Sequence, residues 1–217
     1  MKKMFTKKRV VLLSLFILPL VFFLVLSTGV NNFKKLPTVT ENITDIQSSD
    51  STKMKLKEQI SIVCFIGNDI DLSKGGIFNL NQKIYKPFYG FKDFQLVVIY
   101  PKNKKEEAEK LRKEISEFTD MSRWNLVGLD SLEIEAIYKS FNTKEVLKNL
   151  RSDKAFIVDK DLNLRGRNND EDTLNGTLFG YNMNSVAELN NKMKDDVKIV
   201  LAEYRLAIKR NRNKRKI

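Results

Sequence analysis

The side chain best suited to nucleophilic or metal chemistry is Cys64, which lies in the apolar run from Ile60 to Gly67. It is the single cysteine of a 217-residue sequence that has no histidine. An intramolecular disulfide is therefore excluded, and zinc, copper and catalytic-triad chemistry are disfavoured. Because reactive thiolates lie exposed near cations or helix N-termini, we expect Cys64 to be a core residue. The alternative is a one-cysteine reductase or peroxidase acting through Cys64.

Carboxylates that could bind a cation lie near position 160. Asp159, Asp161 and Asn163 match the first half of a calcium-binding loop. Asp170 takes the twelfth position of that loop, but Leu164 stands where the loop requires glycine. A hairpin turn explains these residues more simply. Asp170 also begins an acidic run of three residues that could bind a cation or a basic partner, although a solvated loop is the simpler interpretation.

A phosphate-binding loop is a further alternative, because Ser73-Lys74-Gly75-Gly76 follows a predicted strand. Phosphate-binding loops need Gly-Lys-Ser/Thr at a fixed distance after another glycine, and here that order is reversed. From the sequence we therefore assign no catalytic residue, no cofactor-binding residue and no metal ligand.

The formal net charge of +12 resides at the two ends of the sequence. Between Lys57 and Ile208 basic and acidic side chains are equal in number, so a nucleic-acid surface built into the folded body is not expected. Lys209 to Lys216 is basic without an acidic residue. We expect it to be a solvated, frayed helix end, with binding to anionic lipid or nucleic acid as the alternatives.

An apolar run, Val10 to Leu26, follows the basic N-terminal residues and is broken only by Ser14 and Pro19. As a helix it would extend about 26 Å, enough for a thin bilayer. We predict a transmembrane anchor over residues 10–30, with a cleaved signal peptide as the alternative. The basic residues 1–9 should stay in the cytoplasm, so that a single pass through the inner membrane places the rest outside.

The remaining sequence is predicted to contain one domain. Residues 31–56 are rich in Thr, Ser, Asn and Lys and lack a sustained apolar period, which predicts a flexible, exposed tether. A globular domain is expected over residues 57–208, followed by the basic tail 209–217. At about 150 residues the domain can bury an ordinary core.

Apolar periodicity predicts alternating strands and helices within that domain. Buried strands are expected at Ile60–Gly67, Phe94–Tyr100 and Trp124–Leu129. Two further strands, Ala155–Asp159 and Leu162–Gly166, flank a two-residue polar turn and predict an antiparallel hairpin.

Four helices are expected between and after these strands. Pro87 should kink or end the first, while Asp130 with Glu133 and Ser185 with Glu188 have the spacing of capping boxes. The apolar helix faces are, in order, Ile77, Leu80, Ile84 and Phe88; Ala108, Leu111, Ile115 and Phe118; Leu132, Ala136, Ile137 and Phe141; and Val186, Leu189, Met193, Val197, Val200, Leu201, Tyr204 and Ile208.

Parallel crossovers followed by an antiparallel hairpin predict an α/β fold, a mixed sheet sandwiched by helices in a thioredoxin-like arrangement. Ligands of such sheets bind beyond the carboxyl ends of the strands, so any site should lie between Gly67 and Gly76. An aromatic-rich patch at the end of the first helix should be mainly core, and any exposed members could bind a partner. The patch consists of Phe78, Tyr85, Phe88, Tyr89 and Phe91.

The hairpin Phe156 to Gly166 and the helix ending in Val200-Leu-Ala-Glu203, with the anchor and the element order, resemble the Sco/SenC family. That family consists of membrane-anchored thioredoxin-fold domains that bind copper and help to assemble cytochrome oxidase. Its metal site uses a C-x-x-x-C pair after the first core strand and a histidine before the hairpin. Here Asn68 to Gly76 has no cysteine and Leu150 to Lys154 has no histidine, so no copper ligand is transferred.

The resemblance implies a membrane-anchored, extracytoplasmic (periplasmic) thioredoxin-like binding or assembly protein that is not an enzyme. Without the family's ligands we expect neither copper binding nor redox activity. The expected partners are the membrane and an envelope or respiratory-complex protein, and no nucleic acid. The alternatives are a thiol-dependent reductase or peroxidase using Cys64, and a cytoplasmic nucleic-acid binder using the basic tail.

Overall fold

The computed structural model describes residues 7–27, 35–46, 54–173 and 175–214. The chain divides into two compact units, Met1–Lys34 and Lys35–Ile217. The first contains helix α1, Lys7–Ser27, whose described large apolar side chains are 45–70% exposed. None of the helices in the described ranges is both long and apolar enough to cross a membrane. Outside these ranges lie residues 1–6 of the predicted basic N-terminus, 28–30 of the predicted anchor and 215–217 of the predicted tail.

We call the second unit the domain. It alternates strands and helices because the spacing of its apolar residues changes between the two-residue period of a strand and the 3.6-residue period of a helix. Its elements are β1 Thr38–Thr40, β2 Ile60–Ile66, α2 Ile70–Leu80, a π-helical turn Asn81–Tyr85, α3 Lys86–Phe88, β3 Phe94–Pro101, a 3₁₀ turn Lys102–Lys104, α4 Lys105–Ser116, β4 Trp124–Leu129, α5 Ser131–Ser140, β5 Arg151–Val158, β6 Leu164–Arg165, β7 Tyr181–Asn182, α6 Val186–Glu188, a π-helical turn Leu189–Met193 and α7 Lys194–Lys214.

The described strands form one mixed sheet in the order β1-β6-β5-β2-β3-β4, with β7 paired to β5. β2, β3 and β4 are parallel, and β5 runs antiparallel to β2. β2 lies between β3 and β5, and all seven of its residues are buried. The predicted mixed sheet is therefore confirmed, as are the three predicted parallel strands.

Alternate residues of β2 face two apolar layers, because side chains along a strand point to opposite faces. Ile62 and Cys64 pack with α2, α4 and α7 on one face of the sheet. Val63 and Phe65 pack with α5 on the other face. There the Phe65 ring meets three aromatic rings edge-on at centroid distances of 5.3, 5.7 and 6.2 Å. Helices thus cover both faces of the sheet, as predicted.

The predicted flexible tether over residues 31–56 is wrong where the structure describes it. β1 pairs antiparallel with β6, and Ile43 and Ile46 are buried against the same face as α5. The domain therefore begins at Lys35. Periodicity misses this segment because its apolar residues are irregularly spaced and pack against elements far along the chain. Residues 31–34 and 47–53 of the predicted tether lie outside the described ranges.

Three of the predicted helix faces need correction. In the last helix, Val186 is 44% exposed and does not belong to the buried stripe. Leu132 and Ala136 are exposed, because α5 turns Ile134 and Tyr138 toward the sheet instead. Phe118 lies beyond the last turn of α4 and is 47% exposed. Ile137 and Phe141 are buried as predicted, but Ile134 and Tyr138 complete the buried face in place of Leu132 and Ala136, a choice that apolar periodicity alone does not determine.

The predicted hairpin is confirmed, but its turn is longer than two residues, since β5 ends at Val158 and β6 begins at Leu164. The Asp159 carboxylate accepts hydrogen bonds from the backbone N–H groups of Asp161 and Asn163, both at 2.9 Å. Such bonds to the following backbone stabilise a turn. The hairpin interpretation of these three polar residues is therefore confirmed.

A buried arginine joins three parts of the domain. Arg165 on β6 is 6% exposed, and its guanidinium donates to the carboxylates of Asp159 at 3.1 Å and of Glu203 on α7 at 2.8 Å. The Arg165 Nε also donates to the Leu36 carbonyl at 3.1 Å, and the Leu36 N–H donates to Glu203 at 2.8 Å. One guanidinium therefore fixes the hairpin, the last helix and the start of the domain.

Candidate functional site

The carboxyl end of β2 is joined to the start of β5 by two asparagines. Gly67 follows β2 with a φ of 66°, which glycine adopts without strain. Asn68 donates from its backbone N–H to the Asn149 carbonyl at 3.1 Å and from its side-chain amide to the Asn149 side-chain oxygen at 2.8 Å. A Cβ at Gly67 would lie 2.6 Å from that carbonyl oxygen and 2.6 Å from the Arg151 Cβ. We call Gly67, Asn68, Asp69, Asn149 and Arg151 the edge site.

β5 bulges where it meets the edge site. Cys64 pairs with Ala155, but Ile66 pairs with Arg151, so β5 uses two more residues than β2 over this span. Bulges bend a strand, redirect its side chains and are frequent beside functional sites. Arg151 is held within the bulge by an ion pair with Asp153 at 2.6 Å. The bulge therefore places a guanidinium at the carboxyl edge of the sheet.

Two consecutive residues of the turn before the bulge have a strained backbone. Asn149 and Leu150 both have a left-handed conformation, with φ of 52° and 62°. Leucine seldom adopts it, because the conformation costs about 1–2 kcal/mol. The Arg151 N–H donates to the Lys148 carbonyl at 3.0 Å, which with the Asn68 contacts fixes the strained turn. Strain held in this way is concentrated at binding and catalytic sites.

Exposed charges flank the edge site on the side of β3 and β4. The pKa of the Lys104 ammonium is raised, mainly by its hydrogen bond with Glu107 and to a smaller extent by the charge of Asp69. Lys102 donates to the Asp130 carboxylate at 2.9 Å, and both side chains are largely exposed. Exposed ion pairs contribute little to stability. The Lys102 and Lys104 ammonium groups can therefore leave their present carboxylate partners and form ion pairs with a docked protein.

Cys64 lies inside the sheet, three residues before Gly67. It is fully buried, and its Sγ lies 3.6 Å from the Val97 carbonyl on β3, to which it donates. Burial raises the pKa of the Cys64 thiol, so the nucleophilic thiolate is disfavoured at neutral pH. The prediction that Cys64 is a core residue is confirmed.

No family model and no curated protein matches the sequence. Several solved structures resemble the domain, among them the following two. BsSco, a member of the Sco family of cytochrome c oxidase assembly proteins, matches at 12% identity and a TM-score of 0.53, over 77% of this chain and 98% of its own. A Bacteroides thetaiotaomicron protein named as a disulfide isomerase matches at 10% identity and a TM-score of 0.50, over 78% and 95%. The fold is thioredoxin-like.

The predicted structural likeness to Sco/SenC proteins is thus confirmed, and at these identities it is a likeness of fold alone. In this thioredoxin-like domain the edge site includes the loop between the first core strand and the following helix. The Sco/SenC family carries its C-x-x-x-C pair in that loop. This chain has Asn68 and Asp69 there, and its one thiol is inside the sheet.

Copper, which the resemblance implies, does not fit the edge site. The Asn68 amide is hydrogen-bonded to Asn149, and Asp69 offers the one carboxylate of the site. Thiolate and thioether sulfur select Cu(I), whereas carboxylate and carbonyl oxygens suit Mg²⁺ or Ca²⁺. No group of three or more histidine, cysteine, aspartate or glutamate side chains within the described ranges is placed to hold a metal ion.

Two other polar clusters have structural positions. Ser73 to Gly76 lies within α2, where the Ser73 hydroxyl donates to the Ile66 carbonyl at 3.1 Å, so the segment is a helix and not a phosphate-binding loop. Asp170 is 5% exposed and accepts a hydrogen bond from Lys192 at 2.7 Å. The prediction that the acidic run is a solvated loop is therefore wrong for Asp170, its first residue, because Asp170 is buried in an ion pair with Lys192.

The aromatic-rich patch at the end of the first helical segment divides between core and surface. Tyr85 and Phe88 are buried, whereas Tyr89 and Phe91 are 43% and 40% exposed. The Tyr85 hydroxyl donates to the Asp120 carbonyl at 2.7 Å, which ties the helix to the loop before β4. The predicted core role is confirmed for the two buried residues.

A cavity of about 370 Å³ opens between the end of α5 and the loop before β7. Tyr138, Phe156 and Phe179 supply its apolar walls. This volume is in the range of small-ligand sites. The charged residues of its lining carry both signs and so favour neither anions nor cations; they are Lys144, Glu145, Lys154 and Asp172.

Sequence patterns did not identify Asn149 and Arg151 as site residues. Asn149 is 81 residues from Asn68, its hydrogen-bond partner, and neither residue type nor spacing predicts that contact. The predicted strand began at Ala155, whereas β5 begins at Arg151, because the polar bulge interrupts the apolar run. Pairing between distant segments therefore creates the edge site.

Replacing Cys64 by serine is expected to lower the free energy of unfolding by about 1–3 kcal/mol, because the hydroxyl loses its hydrogen bonds to water on burial. Urea denaturation of the purified chain measures the change. Cys64→Ala, which adds no polar group, is the matched control and should cost less. A serine variant as stable as the unmodified chain would contradict the buried, structural role of Cys64.

Proposed function

We propose that this chain is a membrane-anchored, extracytoplasmic thioredoxin-like protein that binds or helps to assemble a protein partner through the edge site, without copper or thiol chemistry. The observation that carries the proposal is the Asn68–Asn149 contact at the carboxyl end of β2. The side-chain amides of Asn68 and Asn149 occupy the carboxyl end of β2, where thiol chemistry would require an exposed cysteine sulfur. Cys64 lies four residues before Asn68 and is buried.

The surroundings of the edge site support a docking surface. Ligands of sheets with parallel strands bind at their carboxyl ends. Two helices begin at this edge, and each exposes an apolar side chain in its first turn: Leu72 of α2 is 61% exposed and Leu132 of α5 is 79% exposed. Apolar side chains beside polar and charged ones are typical of protein interfaces. An envelope or respiratory-complex protein is the proposed partner.

Photo-crosslinking from the intact chain tests the proposed surface. A photoreactive residue at Leu72 should crosslink to a protein partner in detergent-solubilised membranes, because it lies beside the edge site. The same residue at Lys198, an exposed position on α7, is the matched control and should give no such product. Equal products from both positions, or none from Leu72, would contradict the proposed surface.

Membrane anchoring is supported by the basic residues before Val10 and by the apolar run that ends at Leu26. α1 covers this run, and its described apolar side chains are largely exposed. An alkaline phosphatase fusion after Lys34 should be active in a bacterial host, since the domain would lie outside the cytoplasm. An inactive fusion would contradict the proposed topology, and a shortened, membrane-free product would indicate a cleaved signal peptide.

The purified chain is expected to bind neither Cu(I) nor Cu(II) specifically. Cu(II) favours nitrogen-containing sites built largely on imidazole, which this chain lacks, and Cu(I) favours sulfur, which here is one buried thiol and scattered thioethers. Titration of the purified chain with Cu(I) in competition with a Cu(I) chelator tests the prediction for Cu(I). Stoichiometric binding at sub-micromolar affinity would contradict the proposal and show that other ligands form a copper site.

A further inference from the structure

We infer that β4 pairs side by side with β4 of a second copy of this chain, an inference that does not rest on the proposed function. β4 is the last strand in the order of the sheet, and within the described ranges no strand pairs with its outer side. The Leu96 N–H donates to the Arg123 carbonyl at 2.9 Å, so every second residue from Arg123 onward turns its backbone groups toward β3. The outer side of β4 therefore presents the backbone groups of Trp124, Leu126 and Gly128.

β4 lacks the features that usually protect an exposed strand from pairing. It contains no charged residue and no proline, and its six residues pair with β3 in an unbroken register. The strand at the opposite side of the described sheet is protected: β1 has three residues, follows Pro37 and pairs with β6 in an irregular register. Lysine, proline, bulges and short strands are the usual means of preventing strand addition. β4 is therefore the side of the sheet that is suited to add a strand.

The backbone groups on the outer side of β4 are complementary to a second β4 in antiparallel orientation. Under two-fold symmetry centred on Leu126, the two Leu126 residues exchange both of their N–H to C=O hydrogen bonds. Each Gly128 N–H then faces the Trp124 carbonyl of the second copy. The Trp124 N–H needs no partner there, because it already donates to the Met121 carbonyl of its own chain at 3.0 Å. The same surface is thus used by both copies, as in the symmetric dimers that are the commonest oligomers.

The charges that flank β4 also favour a second copy in antiparallel orientation. Arg123 precedes the strand, and the exposed Asp130 follows it. Antiparallel pairing brings each Arg123 near Asp130 of the second copy, whereas parallel pairing would bring like charges together. The ion pair that Asp130 forms with Lys102 is exposed and contributes little, so it does not prevent this contact.

Disulfide crosslinking of the full chain in detergent tests the pairing and its register. Cysteine replaces Leu126 in a Cys64→Ala background, which leaves one thiol in each chain. Opposed residues that exchange hydrogen bonds have Cα atoms about 5.5 Å apart, within the range of about 4.4–6.8 Å that a disulfide spans. Mild oxidation should convert most Leu126→Cys chains to a covalent dimer. Lys198→Cys, at an exposed position on α7, is the control and should give little.

Sedimentation of the full chain in detergent measures the dissociation constant of the dimer. Leu126→Lys should raise that constant about tenfold or more, because two facing lysines repel each other and replace an apolar pair. Val146→Lys, at a position that is 81% exposed, is the control and should leave it unchanged. Urea denaturation shows whether each variant folds, and if Leu126→Lys does not, the crosslinking result decides.

Three results would overturn the inference. The first is a chain that stays monomeric at every concentration. The second is a dimer that a folded Leu126→Lys variant keeps with an unchanged dissociation constant, since its contact would lie elsewhere, for example in α1. The third is equal crosslinking of the Leu126→Cys and Lys198→Cys chains.

Discussion

Replacing Arg165 by methionine is expected to lower the free energy of unfolding by about 3–5 kcal/mol, because removing one partner leaves buried charges uncompensated. Arg165 donates to Asp159, which is 2% exposed, and to Glu203 on α7. The Leu36 carbonyl would also lose its guanidinium donor. Methionine keeps most of the apolar stem of arginine, so the loss should come mainly from the charge and its hydrogen bonds.

Lys198→Met is the matched control for this variant. Lys198 donates to Asp195 at 2.8 Å, but both side chains are more than half exposed. Its replacement should change stability by less than about 0.5 kcal/mol, as is usual for surface substitutions. Urea denaturation of the purified chains compares them. Similar losses for the two variants would contradict the assignment of Arg165 as the residue that joins hairpin, last helix and domain start.

The second large effect is expected for Gly67→Ala at the edge site. A left-handed non-glycine residue costs about 1–3 kcal/mol, and overpacking against a fixed neighbour costs about 1–3 kcal/mol more. The added Cβ would lie 2.6 Å from the Asn149 carbonyl oxygen, which is backbone and cannot easily move. We expect a total loss of about 2–6 kcal/mol, and weaker crosslinking to the partner from Leu72, since the Asn68–Asn149 contact would be displaced.

Gly75→Ala is the control for Gly67→Ala, because Gly75 lies within α2 and a Cβ there meets nothing within 4 Å. Alanine in a helix is favoured over glycine by about 1 kcal/mol, so this variant should be slightly more stable than the unmodified chain. Urea denaturation measures both variants. If Gly67→Ala were as well tolerated as Gly75→Ala, the close approach of β2 and the Asn149 turn would be wrong.

Local sequence signals predicted the elements whose partners are close in the chain or whose pattern is strong. β2, β3 and β4 were predicted because buried strands are continuous apolar runs. The first turn of α5 was predicted from the capping box of Asp130 and Glu133, which the structure confirms. Cys64 was placed in the core by its apolar neighbours alone.

The parts that the sequence did not predict depend on contacts between distant residues. The start of the domain, around Leu36 and Ile43, is short and irregular, and it is ordered by β6, α5 and α7. The edge site depends on the Asn68–Asn149 contact and on the β5 bulge, neither of which has a local pattern. The rule that ligands bind at the carboxyl ends of parallel strands located the loop after β2 as the place for a site, but only the structure identified the asparagine opposite it.

The central claim is that the Cys64 thiol of this thioredoxin-like domain is a buried core group and takes no part in chemistry. The alkylation rate of Cys64 tests this claim most directly. Iodoacetamide should label the native chain at least about 10³-fold more slowly than the urea-unfolded chain, because the buried thiol reacts only after unfolding. An Asp69→Cys variant supplies an exposed thiol at the edge site and should be labelled quickly. Native labelling of Cys64 near the rate of the unfolded chain would contradict the claim and support a thiol-dependent enzyme.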